Sequence, residues 1–387
     1  MRIALAALAV GLVTVLGGGV AANASRSEFS PYIFQVAWSP NGNWLVFAEY
    51  GSTGRFSISV VRLDRAVQRR IRDGLYLGAW SPDSKHIAFI DDSVPGAPTT
   101  WIVSANGLGL RSFNGLFQDW SPDSRSFLVT RRSRAYAAEL YVVDSQTGAS
   151  RFLAEGGGAD WSPNGTRIAF TGPIRHNACF SGESRIFSVN VDGTDRRQLG
   201  GDGTPWTLQS IVGWAPDSSR LAYYESFPAC DFPPTRATFI VPADGSRQST
   251  EIGHGADLVA WSPGGRRFAV REREDDRLKI VTPDGATTTT FPSATGREFG
   301  WGPKGGSVVF SAGDEIGYGS TERIYTARAN GTGRPRLLGV GTHPTWSALG
   351  WIAFAKRGSC TDGGERVYVE RPDGSRFHVL SRCKPTG

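Results

Sequence analysis

The chain has 387 residues, of which 40% are hydrophobic and 11% aromatic, and its formal net charge is +6. Its 49 glycines and 22 prolines, with no long helical period, exclude a mainly helical fold and indicate an all-β chain rich in turns. Basic residues are scattered among acidic ones and form no stripe with aromatic residues, so the composition argues against a nucleic-acid-binding protein.

The first 24 residues have the pattern of a signal peptide. Arg2 supplies a short positive region, residues 3–20 are apolar, and Ala22-Asn23-Ala24 is the small-x-small pattern that a signal peptidase cleaves. We predict cleavage after Ala24, export to the periplasm or the extracellular space, and one domain over residues 25–387 with no membrane span. Retention of the apolar segment as a membrane anchor is the alternative.

A tryptophan motif recurs along the rest of the chain. The second copy reads Trp80-Ser81-Pro82-Asp83-Ser84 and is followed by an apolar strand. Ser-Pro-Asp/Asn-Gly fits a type I turn, because proline presets φ at the second position. Copies 40 to 53 residues apart, each made of short strands, predict a propeller. The eight tryptophans are Trp38, Trp80, Trp120, Trp161, Trp214, Trp261, Trp301 and Trp346.

Each repeat contains four strand signals, which we call A to D from the inside of the ring outwards. An Asn-Gly or Asp-Gly turn, such as Asn106-Gly107, separates strands C and D in most repeats, and we expect positive φ at both of its central residues. The sequence therefore predicts an eight-bladed β-propeller of four-stranded antiparallel blades, with seven blades as the alternative. We expect the tryptophans to pack between blades and no strand to be exchanged where the ring closes.

The repeated pattern W-S-P-[DN]-[GS]-x-x-[IL]-[AV]-[FY], followed by an apolar strand and a D-G or N-G turn, resembles the TolB-type propeller repeat over about residues 32–383. Proteins similar to this include periplasmic scaffolds that bind other proteins, non-catalytic propellers of prolyl-oligopeptidase-like peptidases, and some polysaccharide lyases. The resemblance implies a propeller fold and leaves the function open among these classes. This chain differs from the six-repeat TolB scaffold in having eight repeats.

Two long insertions point to one face of the predicted propeller. In a four-stranded blade, the B–C and D–A connections lie on one face, the loop face, and the A–B and C–D turns lie on the other, the turn face. Residues 172–183 and 225–234 are B–C insertions, and loops on a rigid scaffold are common recognition sites. We predict a site for a protein or peptide partner on the loop face. Its residues are Arg175, His176, Phe180, Phe227, Asp231, Phe232, His254 and His343.

All four cysteines are predicted to lie on the same loop face. Exported chains with an even number of cysteines usually pair them. Three connectivities exist in principle, and the topology favours Cys179–Cys230 and Cys360–Cys383.

The sequence contains no G-x-S-x-G, H-E-x-x-H or phosphate-binding Gly-Lys-Ser/Thr motif. We therefore predict a monomeric, non-catalytic binding module without a cofactor. The alternative is a carbohydrate-active enzyme, a metal-assisted polysaccharide lyase with a divalent cation at His176, His254 and His343. Asp119 and Asp160 precede their tryptophans in adjacent inner strands and could face the channel, where two carboxylates suit a cation or an ordered water. The alternative is that they only flank the turns that follow.

Overall fold

The computed structural model describes residues 32–51, 56–64, 68–73, 76–91, 97–133, 137–172, 184–200, 208–229, 232–246, 248–254, 256–272, 277–291, 298–313, 322–357, 364–375 and 378–380. Within these ranges all the secondary-structure elements are β-strands, and they form eight four-stranded sheets. Each sheet uses four consecutive strands, joined in antiparallel pairs. The protein is an eight-bladed β-propeller, which confirms the predicted fold class and number of blades.

Strands are numbered in chain order, four to a blade. Blade 1 contains β1 (Tyr32–Trp38), β2 (Trp44–Tyr50), β3 (Phe56–Arg62) and β4 (Gln68–Asp73); blade 2 contains β5 (Tyr76–Trp80), β6 (His86–Asp91), β7 (Thr99–Ser104) and β8 (Arg111–Asn114); blade 3 contains β9 (Leu116–Trp120), β10 (Ser126–Arg132), β11 (Ala138–Asp144) and β12 (Ser150–Glu155); blade 4 contains β13 (Gly157–Trp161), β14 (Arg167–Thr171), β15 (Ile186–Asn190) and β16 (Arg197–Leu199). Blade 5 contains β17 (Leu208–Trp214), β18 (Arg220–Ala229), β19 (Phe232–Pro242) and β20 (Thr250–His254); blade 6 contains β21 (Ala256–Trp261), β22 (Phe268–Glu272), β23 (Leu278–Val281) and β24 (Thr287–Phe291); blade 7 contains β25 (Phe299–Trp301), β26 (Ser307–Ala312), β27 (Arg323–Arg328) and β28 (Arg336–Val340); blade 8 contains β29 (Thr342–Trp346), β30 (Ile352–Arg357), β31 (Glu365–Glu370) and β32 (His378–Val379).

Strand β6 shows why the second strand of each blade is apolar on both faces. Ile87 and Phe89 pack in the seam with blade 1, whereas Ala88 packs in the seam with blade 3. All three side chains are fully buried. A strand covered on both faces loses the alternation of polar and apolar residues that marks a half-exposed strand. The core of this propeller is therefore divided into seams between neighbouring blades.

The motif tryptophans pack in these seams, as predicted. Trp80, for example, belongs to the cluster that joins blades 1 and 2. Trp80 also donates its indole N–H to the carbonyl of Ala37, at 3.3 Å. Ala37 lies directly before Trp38, the tryptophan of the previous blade. This bond links adjacent inner strands and is an interaction that the sequence did not indicate. Six tryptophans make it: Trp38, Trp80, Trp120, Trp214, Trp261 and Trp301.

The Trp-Ser-Pro turns close as the sequence predicts. In blade 2, the Ser84 N–H donates to the Ser81 carbonyl at 2.8 Å, and the Ser81 hydroxyl donates to Asp83 at 2.7 Å. Ser84 has φ +64°, where glycine is the usual residue. Serine has a use here, because its hydroxyl accepts the N–H of Asn41 in blade 1 at 3.0 Å. Ser124 makes the same bond with the Asp83 N–H.

The C–D turns differ in one respect from the prediction. Gly107 has φ +77°, but Asn106 does not have positive φ, so the expectation of two such residues is wrong. The Gly107 N–H donates to Ser104, and the Ser104 N–H donates to Leu108, which is the pattern of a type I turn followed by a bulge. The Asn106 side chain accepts the Leu108 N–H at 3.0 Å and holds this arrangement.

Among the described strands, none is exchanged where the ring closes, and the predicted weak point, residues 25–31, lies outside the described residues. Blade 1 uses only β1–β4 and blade 8 only β29–β32. Strand β1 packs against β29 and β31. Two hydrogen bonds cross this seam: the Trp38 indole N–H donates to the Thr345 carbonyl at 3.3 Å, and the Ile33 N–H donates to the Glu365 carboxylate at 2.7 Å. Hydrogen bonds from or to side chains therefore join blades 1 and 8, whereas many propellers join their first and last blades with a shared strand.

The predicted signal peptide, residues 1–24, lies outside the described residues. No helix in the described ranges has the length and apolar character needed to cross a membrane.

Candidate functional site

Several residues predicted for the loop face lie outside the described part of the chain, so their roles and the disulfide pairing stay predictions. The structure describes the backbone but not the side chains of Phe227, Phe232 and His254. It describes His343 and the channel residues Asp119 and Asp160 completely. The residues outside the described ranges are Arg175, His176, Cys179, Phe180, Cys230, Asp231, Cys360 and Cys383.

Blade 5 carries the longest strands of the propeller, and they extend beyond the loop face. The prediction that residues 225–234 form a loop is wrong, because Phe227 pairs with Thr235 and Ala229 pairs with Phe232 in a β-hairpin. Pro228, Pro233 and Pro234 lie where β18 and β19 extend past their neighbours β17 and β20. Proline is tolerated on such unpaired strand edges.

The extent of this hairpin follows from the pairing of its neighbours. Strand β17 pairs with β18 only as far as Ser226, and β20 pairs with β19 only as far as Ala237. The three residues after Ser226, which end at Ala229, extend the hairpin about 10 Å beyond the sheet at about 3.3 Å per residue. We call residues 227–235 the blade 5 hairpin.

A group of four aromatic residues lies at the loop-face end of blade 1. Tyr32, Tyr50 and Phe56 are cross-strand neighbours, and their rings lie 5.4 and 4.9 Å apart in succession. Phe34 sits at a bulge in β1, 5.5 Å from the Phe56 ring, and is 42% exposed. This aromatic patch was not predicted, although aromatic residues at the ends of three successive strands are a sequence signal for it.

Blades 7 and 8 join at the loop face through an acid and a histidine. Glu298 precedes β25, and His343 lies near the start of β29 with φ +55°. The Glu298 carboxylate accepts both the backbone N–H of His343 and its Nε2–H, the latter at 2.8 Å. The second ring nitrogen, Nδ1, lies 3.0 Å from the Thr342 hydroxyl. Both His343 nitrogens therefore have protein partners, which does not favour the predicted role of His343 as a metal ligand.

Nearby carboxylates favour the charged form of this histidine. Burial alone would lower the pKa of His343, but the hydrogen bond and charge of Glu298 raise it overall, with further contributions from Glu365 and Glu322. Burial raises the pKa of Glu365. Among the described residues, no group of three or more histidines, cysteines, aspartates or glutamates has the arrangement of a metal site.

Asp119 and Asp160 are neighbours in the adjacent inner strands β9 and β13, and their predicted position facing the channel stays a prediction. Each carboxylate also reaches the inner strand of the next blade. Asp119 accepts the backbone N–H of Trp161 at 2.8 Å, and Asp160 accepts that of Trp214 at 3.1 Å. The inner strands have no partner on their channel side, so these N–H groups would otherwise need water. The pair links three successive blades along the channel.

Burial and mutual repulsion disfavour the simultaneous ionisation of the two aspartates. Both residues keep a minority of their surface open to the channel, but their carboxyl groups are surrounded by protein. Burial raises the pKa of Asp160 to about 6, and burial together with the charge of Asp160 raises the pKa of Asp119 well above its usual value. The Asp119 carboxyl therefore donates to the Asp160 carboxylate.

No protein-family model matches the chain, and no curated protein matches it. Many solved structures do. The propeller domain of the Trilobed protease from Pyrococcus furiosus, which has an open velcro topology, matches with a TM-score of 0.53 at 12% identity, over 92% of this chain and 99% of that chain. An oligogalacturonate lyase from Vibrio parahaemolyticus matches with a TM-score of 0.50 at 13% identity, over 87% and 89% of the two chains.

A putative TolB from Agrobacterium tumefaciens also matches, with a TM-score of 0.42 at 19% identity, over 57% of this chain and 80% of that chain. At their identities, the matches to the protease propeller domain and to the lyase establish the fold alone. Together with the sheets and seams described above, they place the chain among the β-propellers, a class that includes a protease domain and a lyase.

Proposed function

We propose that the protein is an exported binding module that takes a protein or peptide partner on its loop face. The blade 5 hairpin is the observation that carries this proposal, because it extends beyond the paired strands of its sheet. The A–B and C–D turns of the opposite face are short and fixed by their own hydrogen bonds. Recognition elements on rigid supports lose less conformational entropy on binding than flexible ones do.

The composition of the hairpin favours recognition through side chains. Pro228 lies in β18, and Pro233 and Pro234 lie in β19. Proline has no N–H to donate, so these residues discourage the addition of a further strand to either edge. A partner that recognised the hairpin would then contact its side chains, among them Phe227 and Phe232, instead of extending its sheet.

The aromatic patch of blade 1 also favours a binding site on the loop face. Blades 1 and 5 are four positions apart in a ring of eight, so the patch and the hairpin lie on opposite sides of the channel mouth. Aromatic residues are enriched at protein interfaces, where they bury a large area with few rotatable bonds. A protein or peptide that spans the mouth would contact both.

The metal-assisted lyase remains the alternative and has no specific observation in its favour. Of its three predicted ligands, only the His343 ring is described, and Glu298 and Thr342 engage both of its nitrogens. We therefore propose a non-enzymatic role, with neither a metal nor another cofactor in it.

We expect loss of the hairpin to remove partner binding while the propeller stays folded. In the variant, an Asn-Gly turn replaces residues 227–235 and joins the paired residues Ser226 and Arg236, and Cys179→Ser removes the thiol left without its predicted partner. The variant and the unchanged mature chain serve as bait for the envelope and secreted proteins of the native organism. A partner retained by the unchanged chain should be lost from the variant.

The matched control is Cys179→Ser with Cys230→Ser in an otherwise unchanged chain, which separates loss of the hairpin from loss of the predicted disulfide. Circular dichroism establishes that each bait retains its sheet. Equal capture by a folded variant without the hairpin would refute the proposal for this face.

A further inference from the structure

On the turn face of blade 4, one aspartate joins two arginines. The Asp195 carboxylate accepts from Arg167 at 2.8 Å and from Arg197 at 2.9 Å. Arg197 also donates to the Asp244 carbonyl of blade 5 at 3.2 Å. Asp195 has φ +51°, a conformation that aspartate adopts more readily than most residues other than glycine. Blade 4 therefore supplies an acid for its two basic side chains.

Blade 2 has the same two basic positions without the acid. By strand pairing, His86 and Arg111 occupy the positions of the two arginines of blade 4. Gly109, two residues before Arg111, occupies the position of Asp195. Among the described strands, blades 2 and 4 alone have basic side chains at both positions. Blade 2 is thus the one blade with this pair of basic residues and no acid between them.

The backbone of blade 2 leaves room for the missing acid. Gly109 has φ +69°, close to the φ of Asp195. A Cβ at Gly109 would lie 3.8 Å from its nearest neighbour, the Ser104 hydroxyl, which is an ordinary van der Waals distance. A groove of 440 Å³ lies between blades 2 and 3, and its lining includes His86, Gly109 and Arg111. Sites for small molecules have volumes of about 300–1,000 Å³, so the groove is large enough for one.

His86 and Arg111 form no ion pair in the part of the chain that the structure describes. The buried Nδ1 atom of His86 has no hydrogen-bond partner there. Arg111 donates to the carbonyls of Ser145 and Gln146 in blade 3, at 3.1 and 2.6 Å. A guanidinium has five N–H groups, so Arg111 keeps further donors for a ligand.

The acids that line the groove are already held by their own turns. Asp83 and Asp123 each accept a serine hydroxyl and a backbone N–H within the turn. Burial alone would raise the pKa of each aspartate, but these hydrogen bonds lower it overall. Lys85 and Arg125 also line the groove, so its basic side chains outnumber its two acids.

We infer that this groove binds a small organic acid through its carboxylate group. The carboxylate lies between His86 and Arg111, in the place that the Asp195 side chain takes in blade 4. Because histidine is shorter than arginine, the ligand occupies the space that the Arg167 side chain fills in blade 4. A guanidinium suits a carboxylate, since it can donate two parallel hydrogen bonds. The site is on the turn face and is independent of the function proposed for the loop face.

The first test compares succinate with its neutral diamide, succinamide, at constant ionic strength. Binding is followed by the ring C–H resonances of His86 in protein labelled at histidine, assigned through His86→Gln. Succinate should shift them in a saturable way, with an affinity at least about fivefold that of succinamide, as expected for one exposed charge pair. Equal affinities would overturn the inference. Tighter binding of acetyl-Ala-Asp-Ala-amide than of succinate would also overturn it, because the groove would then suit an acidic protein partner.

Gly109→Asp supplies the acid from within the chain, and Gly109→Asn is its uncharged control. The aspartate should remove the His86 response to succinate. It should also melt at a higher temperature than the asparagine variant, because it forms the ion pairs that Asp195 forms in blade 4. A folded Gly109→Asp protein that still binds succinate, or that melts no higher than Gly109→Asn, would contradict the inference.

Asp195→Gly vacates the equivalent place in blade 4, and glycine tolerates the positive φ there. The variant should have a lower melting temperature than the unchanged protein. Succinate should raise the melting temperature of the variant more, because it then fills two sites of the folded state. An equal effect of succinate on the two proteins would count against the inference.

Discussion

Trp120→Ala is expected to lower the free energy of unfolding by about 3–5 kcal/mol, the usual cost of removing a large buried aromatic side chain. Trp120 is 3% exposed and packs against Phe117 and Phe127 in the seam between blades 2 and 3. Its removal leaves a cavity that two stiff sheets can fill only in part. Urea unfolding should give a lower midpoint with an unchanged slope, which indicates a change in stability alone.

Phenylalanine variants separate packing from the indole hydrogen bond. The Trp120 indole N–H donates to the Ala79 carbonyl at 3.2 Å, whereas the indole nitrogen of Trp161 has no hydrogen-bond partner. Trp120→Phe should therefore cost about 1 kcal/mol more than Trp161→Phe, because only the first change removes a hydrogen bond. Equal costs would mean that the bonds between inner strands do not contribute to closing the seams.

The stability of the protein is expected to decrease as pH rises through the range in which the Asp119–Asp160 pair loses its proton. Burial raises the pKa of Asp160 to about 6 and also raises the pKa of Asp119, whereas aspartates in the unfolded chain titrate near 4. Between these limits the folded protein binds more protons than the unfolded chain does. The free energy of unfolding then falls with increasing pH, by about 1.4 kcal/mol per pH unit for each extra proton bound.

Asp119→Asn isolates this contribution from the other titrating groups. The amide is neutral at every pH, so the variant keeps a neutral partner beside Asp160 and cannot form two adjacent charges. Urea unfolding from pH 4 to pH 8 should show the unchanged protein losing stability relative to the variant as pH rises. Parallel curves for the two proteins would mean that the pair does not share a proton.

The blades were predictable because their determinants repeat in the sequence. Trp80-Ser81-Pro82 and its copies specify a strand end, a turn and a seam side chain at once, and local turn chemistry together with apolar alternation is enough to place them. Asp119 and Asp160 occupy equivalent positions in adjacent inner strands, which is why their carboxyl groups are neighbours.

Features that depend on contacts between distant residues were not predictable in this way. The segment that contains Pro233 and Pro234 was predicted to be a loop. The structure shows a hairpin, because β18 stays paired with β19 beyond Ser226, where its pairing with β17 ends. The hydrogen bonds between Glu298 and His343 join residues 45 positions apart, and neither residue belongs to the tryptophan motif. The use of serine at Ser84 likewise depends on the neighbouring blade, which supplies the N–H of Asn41.

The claim that a partner binds the loop face is tested most directly by photo-crosslinking from each face. Phe34 on the loop face and Leu108 on the turn face are 42% and 53% exposed, so a benzoylphenylalanine at either position is similarly accessible. With each variant expressed in the native organism, irradiation should attach a protein partner to the chain labelled at position 34 and not to the chain labelled at position 108. Crosslinking from position 108 alone would contradict the account.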